Sequence, residues 1–319
     1  MAVDHVSRIL VIKLGALGDV VMATALVAAI TRHHAADDIS LLTTPAYASL
    51  FSTWPDLHVT GLARGGWRDT LAMACWVRRG RFRRIYDLQA NDRTALVCAL
   101  SGAAERVGNH NRFPYTHHPA DPWRGQGHIF ERMRAVLASA GIDDVPSRPV
   151  LPLGDAARAQ VAAWCAARGL AAGRFAVLHA GASARRPEKL WPHFGELGTR
   201  LAAAGIGVVW LGGEEDRARN AALAARVGID ATAAFTLAEI AGLGRHAAFA
   251  VTNDSAPMHV LAAAGIPVFG LFGASDWRRN HALGQAANVV TCEPGERDLA
   301  TLGVERVWSR LAAAGLAPA

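Results

Sequence analysis

The chain has 319 residues, 51% of them apolar and 19% charged, with a net charge of +6. That length suits about two domains, and that balance excludes disorder. Cys75, Cys98, Cys165 and Cys292 form no CxxC pair and lie in apolar stretches, which argues against a disulfide scaffold or zinc ribbon and for a reducing, cytoplasmic setting.

In chain order, strand Arg8–Ile12 runs into Lys13-Leu-Gly-Ala-Leu-Gly-Asp19 and then a helix, Val20–Thr31. Lys13, Gly15, Gly18 and Asp19 break the apolar stretch, so it reads as strand, turn and helix rather than a signal segment. The turn is neither a Walker A loop nor GxGxxG. The second strand, Ile39–Thr43, lacks the terminal acidic residue that a nicotinamide dinucleotide needs, which argues against oxidoreduction. Asp19 has two readings: a helix-start residue favoured by the macrodipole, or a carboxylate presented as a general base. Arg78–Arg84 holds five arginines in seven residues. It reads as a solvated surface or as a patch for an anionic membrane or acceptor, and no nucleic-acid motif accompanies it. Strand Ile85–Gln89 and helix Thr94–Leu100 follow.

Pro146, Pro149 and Pro152 crowd the stretch 144–155, which reads as a linker. Beyond it, strands Phe175–His179, Gly207–Leu211, Ala247–Thr252 and Pro267–Phe272 alternate with helices Pro192–Ala204, Glu214–Val227, Leu237–Gly244 and Ser255–Ala264. Such alternation predicts parallel sheets covered on both faces, an α/β fold of two Rossmann-like domains, 1–150 and 151–319, facing a central cleft. A last helix, Val304–Leu316, is free to pack back on the first domain. Small residues after His179 suit close approach to phosphate, and Lys189 supplies a compact charge there. The chain has only two lysines, Lys13 and Lys189, and both fall in candidate ligand loops. Glu214, after a strand end, reads either as a ribose acceptor or as an acidic helix start. Ser255 and Pro257 fit a helix N-terminus; Asn253, Asp254 and His259 crowd the same strand end for no capping reason.

These residues carry a resemblance. Ile9–Ala25 with Gly18-Asp19, Tyr86-Asp-Leu-Gln89, His179–Pro192 with Lys-Leu-Trp-Pro, Trp210–Arg217 and Val251–Phe272 follow the order seen in bacterial heptosyltransferases of glycosyltransferase family nine. The last stretch, Asn-Asp-Ser-Ala-Pro-Met-His, is the most specific. The resemblance implies a GT-B enzyme that moves heptose from ADP-L-glycero-D-manno-heptose to the lipopolysaccharide inner core, with inversion and without a metal or other cofactor. It implies Asp19 as catalytic base. It implies donor binding by Ser183, Lys189, Glu214, Phe235, Asp254, Ser255, Ala256 and His259. The first domain would hold the acceptor, with Lys13, Arg81, Arg83, Arg84, Gln89 and Arg93 as contacts, on the cytoplasmic side of the inner membrane. Ala256 departs from the family's glycine, which would matter if a phosphate-binding amide needed a glycine-only conformation. Two other classes remain open from the residues alone: a GT-B sugar-nucleotide epimerase, and a sugar-binding protein without turnover. A GT-B transferase using another donor or a protein acceptor is a third.

Overall fold

The structure is a computed structural model and describes residues 6–122 and 127–318. The chain divides into two units, 1–152 and 153–319.

In the first unit the strands are β1 (Arg8–Ile12), β2 (Asp38–Thr43), β3 (Leu57–Gly61), β4 (Arg84–Asp87) and β5 (Glu105–Val107), and the helices are α1 (Leu17–His33), α2 (Pro45–Ala48), α3 (Trp67–Gly80), α4 (Asp92–Leu100) and α5 (Ile129–Ala138). The sheet is parallel, in the order β3-β2-β1-β4-β5. Leu10, Val11 and Ile12 are fully buried, as expected where helices cover both faces. The order reverses between β1 and β4, which is where open α/β sheets bind ligands. Strand β4 stops at Asp87, two residues before the expected end. Asp87 Oδ1 accepts the N–H groups of Gln89 and Ala90, and Ala90 turns the chain at φ 52°.

In the second unit the elements are α6 (Asp155–Ala166), β6 (Phe175–His179), α7 (Phe194–Ala203), β7 (Gly207–Gly212), α8 (Arg217–Ala224), β8 (Ile229–Thr232), α9 (Leu237–His246), β9 (Phe249–Asn253), α10 (Ala256–Ala262), β10 (Val268–Phe272), α11 (Trp277–Asn280), β11 (Val289–Thr291) and α12 (Val304–Ala313). The parallel sheet runs β11-β10-β9-β6-β7-β8, with its reversal between β6 and β9. Each unit thus repeats the dinucleotide-fold order. The helix expected over Glu214–Val227 is shorter: a 3-10 turn at Glu214–Asp216 precedes α8. The closing helix does not need the first unit for cover. Val304, Val307, Trp308 and Leu311 of α12 enter the second unit's own core, beside Phe194, Leu197 and Leu201 of α7. Burial of such side chains contributes roughly 1.5–3 kcal/mol each, which fixes the helix there.

Candidate active site

In the first unit the site forms at the β1/β4 reversal. The chain leaves β1 through Lys13, turns at Gly15 and enters α1 with Asp19 in its first turn. Gly15 has φ +145°, and a side chain there would strike the Arg64 guanidinium, 2.8 Å from the Cβ position. Gln89 Oε1 accepts from Leu14 N at 3.0 Å and Gly15 N at 3.2 Å, so the β4 loop pins the turn. Asp19 keeps 30% of its side chain exposed, while Lys13, behind it, is 1% exposed with its Nζ 3.5 Å from Asp19 Oδ2. Lys13, expected as an acceptor contact, lies buried under the turn with its ammonium toward the Asp19 carboxylate.

Burial lowers the Lys13 pKa to about 8; Asp19 opposes that shift and Arg132 adds to it. Asp87, fully buried beneath the same loop, is pushed up by burial against hydrogen bonds led by the Tyr115 hydroxyl at 2.5 Å. The Lys13 shift fixes a sign. The folded pKa lies below the unfolded one, so the folded state holds fewer protons between about pH 8 and 10.5. Stability should therefore rise with pH across that window, by about 3 kcal/mol from this group. Urea unfolding of the wild type and a Lys13→Met variant should show the gap between them changing only there. A constant gap would remove the buried charge as its cause.

The arginine cluster lies at the other end of the first sheet. Arg81 caps the C-terminus of α3 in the left-handed region, Phe82 is buried, and Arg84 begins β4. Arg84 pairs with Glu105 and donates to the Tyr86 hydroxyl at 3.1 Å, while Arg83 stands 3.7 Å from Glu105. Asp19 stands at the C-terminal edge of the first sheet and these arginines at the N-terminal edge. Strand periodicity alone separates them: crossing four residues spans roughly 13 Å. Arg93 donates to the carbonyls of Arg64 and Gly65. Arg64 itself escaped the sequence reading, because its loop carries no motif.

In the second unit the site forms at the β6/β9 reversal. Lys189 closes a short turn, Pro187–Lys189, and its Nζ meets Asp254 Oδ2 at 2.6 Å; their side chains are 18% and 7% exposed. Asn253 holds the two loops together. Its side chain donates to Ala180 O and Gly181 O and accepts from Trp191 N at 3.1 Å. Ser255 Oγ lies 3.1 Å from His179 Nδ1, and His179 Nε2 lies 3.7 Å from Asp216 Oδ2. Burial pushes the Asp216 carboxyl up, but His179, the Gly213 N–H and Arg219 outweigh it, and the net shift is downward. Gly181 is required beside it, since an added Cβ would lie 2.3 Å from Asp216 Oδ1.

The remaining expected donor residues are placed as follows. Ser183 is exposed and accepts weakly from Arg185 N. Ala256 opens α10 and is absent from the positive-φ residues, so alanine there carries no backbone strain. His259 is buried on α10. Glu214 is exposed, pairs with Arg217, and is lowered by that guanidinium. Half-buried Phe235 follows β8 and packs edge-on to Trp164 at 4.9 Å. Lys189 and the strand-end carboxylate of Asp254 are thus paired, while Glu214 and Phe235 stand after β7 and β8 on the same C-terminal edge. His179, Asp216 and Asn253, which build this edge, are not among the donor contacts that the resemblance implies.

Among the described residues no group of three His, Cys, Asp or Glu side chains lies close enough to hold a metal ion, and no helix is long and apolar enough to cross a membrane.

Two dinucleotide-fold units, each with a polar constellation at its sheet reversal, are the architecture of the GT-B class. Residues 71–301 match the sequence model of "Glycosyltransferase family 9 (heptosyltransferase)". The chain belongs to that family and is a glycosyltransferase. It is similar in structure to a family 9 glycosyl transferase from Veillonella parvula (TM-score 0.82, 21% identity, 98% of each chain covered). It is also similar to Escherichia coli ADP-heptose lps heptosyltransferase II (0.76, 23%, 96% of this chain and 98% of the other). Escherichia coli heptosyltransferase WaaC, solved with ADP, gives 0.72 at 21% identity, covering 97% of this chain and 99% of the other. A search of curated proteins finds no match.

Proposed function

We propose that this glycosyltransferase moves heptose from ADP-L-glycero-D-manno-heptose to an anionic sugar of the lipopolysaccharide inner core, with inversion and without a metal. Asp19 carries the reading: a carboxylate on the first turn of α1, part exposed, with a buried cation behind it. It takes the proton of the attacking hydroxyl as the new bond to the anomeric carbon forms and ADP leaves. Lys189 and Ser183 meet the charge that grows on the diphosphate, Asp254 and His259 the sugar, Glu214 the ribose and Phe235 the adenine. The similar WaaC enzyme has been solved with ADP and with ADP-2-deoxy-2-fluoro heptose, which supports the donor class. Gln89 and Arg93 order the acceptor side. Arg81 and Arg83, on the far edge, suit an anionic membrane at the cytoplasmic face, and flotation with anionic vesicles tests that.

The deciding assay pairs ADP-heptose and other sugar nucleotides with a delipidated core acceptor. ADP-heptose should give the fastest transfer, and EDTA should leave the rate unchanged. Conversion of a sugar nucleotide without acceptor would replace this reading with an epimerase. Strict dependence on Mg²⁺ or Mn²⁺ would overturn the metal-free chemistry.

A further inference from the structure

Lys13 is deeply buried near the turn, at 1% exposure, and among the described residues its Nζ has no hydrogen-bond partner. A desolvated ammonium with unfilled donors is expensive, and an apolar residue of similar length would pack as well at the end of β1. Its charge must therefore be explained by what it faces. Asp19 faces it from α1, Asp87 from β4 and Arg132 from α5. Asp87 is occupied by Tyr115, Gln89 and Ala90, and Arg132 repels. Asp19 is what remains, 3.5 Å away on a helix whose entry Gln89 holds fixed.

We propose that Lys13 is a positioning residue that acts through Asp19: its ammonium draws Asp19 Oδ2 inward and leaves Oδ1 to meet the acceptor hydroxyl. The proposal rests on the reading of Asp19 as the base. In the step itself the hydroxyl oxygen bonds to the anomeric carbon, the bond from that carbon to ADP breaks, and the hydroxyl proton passes to Asp19. The carboxyl is then neutral and Lys13 has lost its counter-charge. Release of the proton to water restores the pair, so the same ammonium resets the base for the next turnover.

The test uses the full-length enzyme with ADP-heptose and acceptor. Loss of a cation beside a carboxylate favours its protonated form, so in Lys13→Met the acid limb of kcat/KM should move up by about one pH unit. At neutral pH kcat should fall roughly 10–100-fold, on the scale of general-base assistance, with the ADP dissociation constant unchanged. Lys13→Ala should recover part of its activity with ethylammonium and none with ethanol at the same concentration. If the Met variant does not fold, the Ala variant carries the decision. An unmoved acid limb, or no rescue by ethylammonium in a variant that still binds ADP, would overturn the role of Lys13. Retained turnover in Asp19→Asn would instead overturn the reading of Asp19, so the two failures are told apart.

Discussion

Replacing Asp19 by Asn is expected to lower kcat by roughly 10²–10⁴ while ADP binding stays the same, the pattern of a lost general base. The geometry makes Asn a clean probe. Its shape is retained on the first turn of α1, where 30% of the aspartate side chain is open to a ligand. Fold damage should be small. The buried Lys13 loses its counter-ion, but burial already lowers its pKa to about 8, so the neutral amine becomes accessible near neutral pH. An uncompensated buried charge is thereby avoided, which is the usual reason that breaking a buried pair is severe. Isothermal calorimetry with ADP reports the binding and single-turnover assays the chemistry. Near-normal turnover in Asp19→Asn would take the carboxylate out of the mechanism.

Most of the fold was legible because its central strands are apolar on both faces. Strands β1, β2, β6, β7, β9 and β10 stand within two residues of their expected bounds. The strands that escaped, β3, β5, β8 and β11, form the sheet edges. They are three to five residues long and mixed in composition, as in Leu57-His-Val-Thr-Gly61, so no continuous apolar run marks them. Within the site, single-strand ends were legible because a glycine-rich or acidic motif follows each of them. Relations between loops were not. That Gln89 caps the Leu14 and Gly15 amides across 75 and 74 residues, or that Lys13 lies beneath the turn rather than on it, depends on side-chain direction after a strand ends. Arg78–Arg84 shows the converse. Its clustering was visible, but the helix end, buried Phe82 and strand start that divide it among different roles were not.

Lys189→Ala should weaken ADP binding by about 1.5–3 kcal/mol, or roughly 10–150-fold, because under the proposed function it loses a charge-assisted hydrogen bond to the diphosphate. The pair it belongs to sharpens the expectation. Lys189 is held at 2.6 Å by Asp254, whose side chain is only 7% exposed. Alanine at position 189 therefore does two things at once: it removes the cation and leaves an uncompensated carboxylate where phosphate oxygens are to sit. Asp254→Asn separates them. It releases Lys189 and removes the repelling charge, so ADP should bind as well as to the wild type or more tightly, while transfer slows through loss of the sugar contact. The double variant then measures the repulsion alone. It should bind ADP more tightly than Lys189→Ala, since the abandoned carboxylate is gone, yet less tightly than Asp254→Asn, since the cation is gone too. Equal ADP affinities in the wild type and Lys189→Ala would show that the lysine serves only to neutralise Asp254, and would move the diphosphate away from this loop.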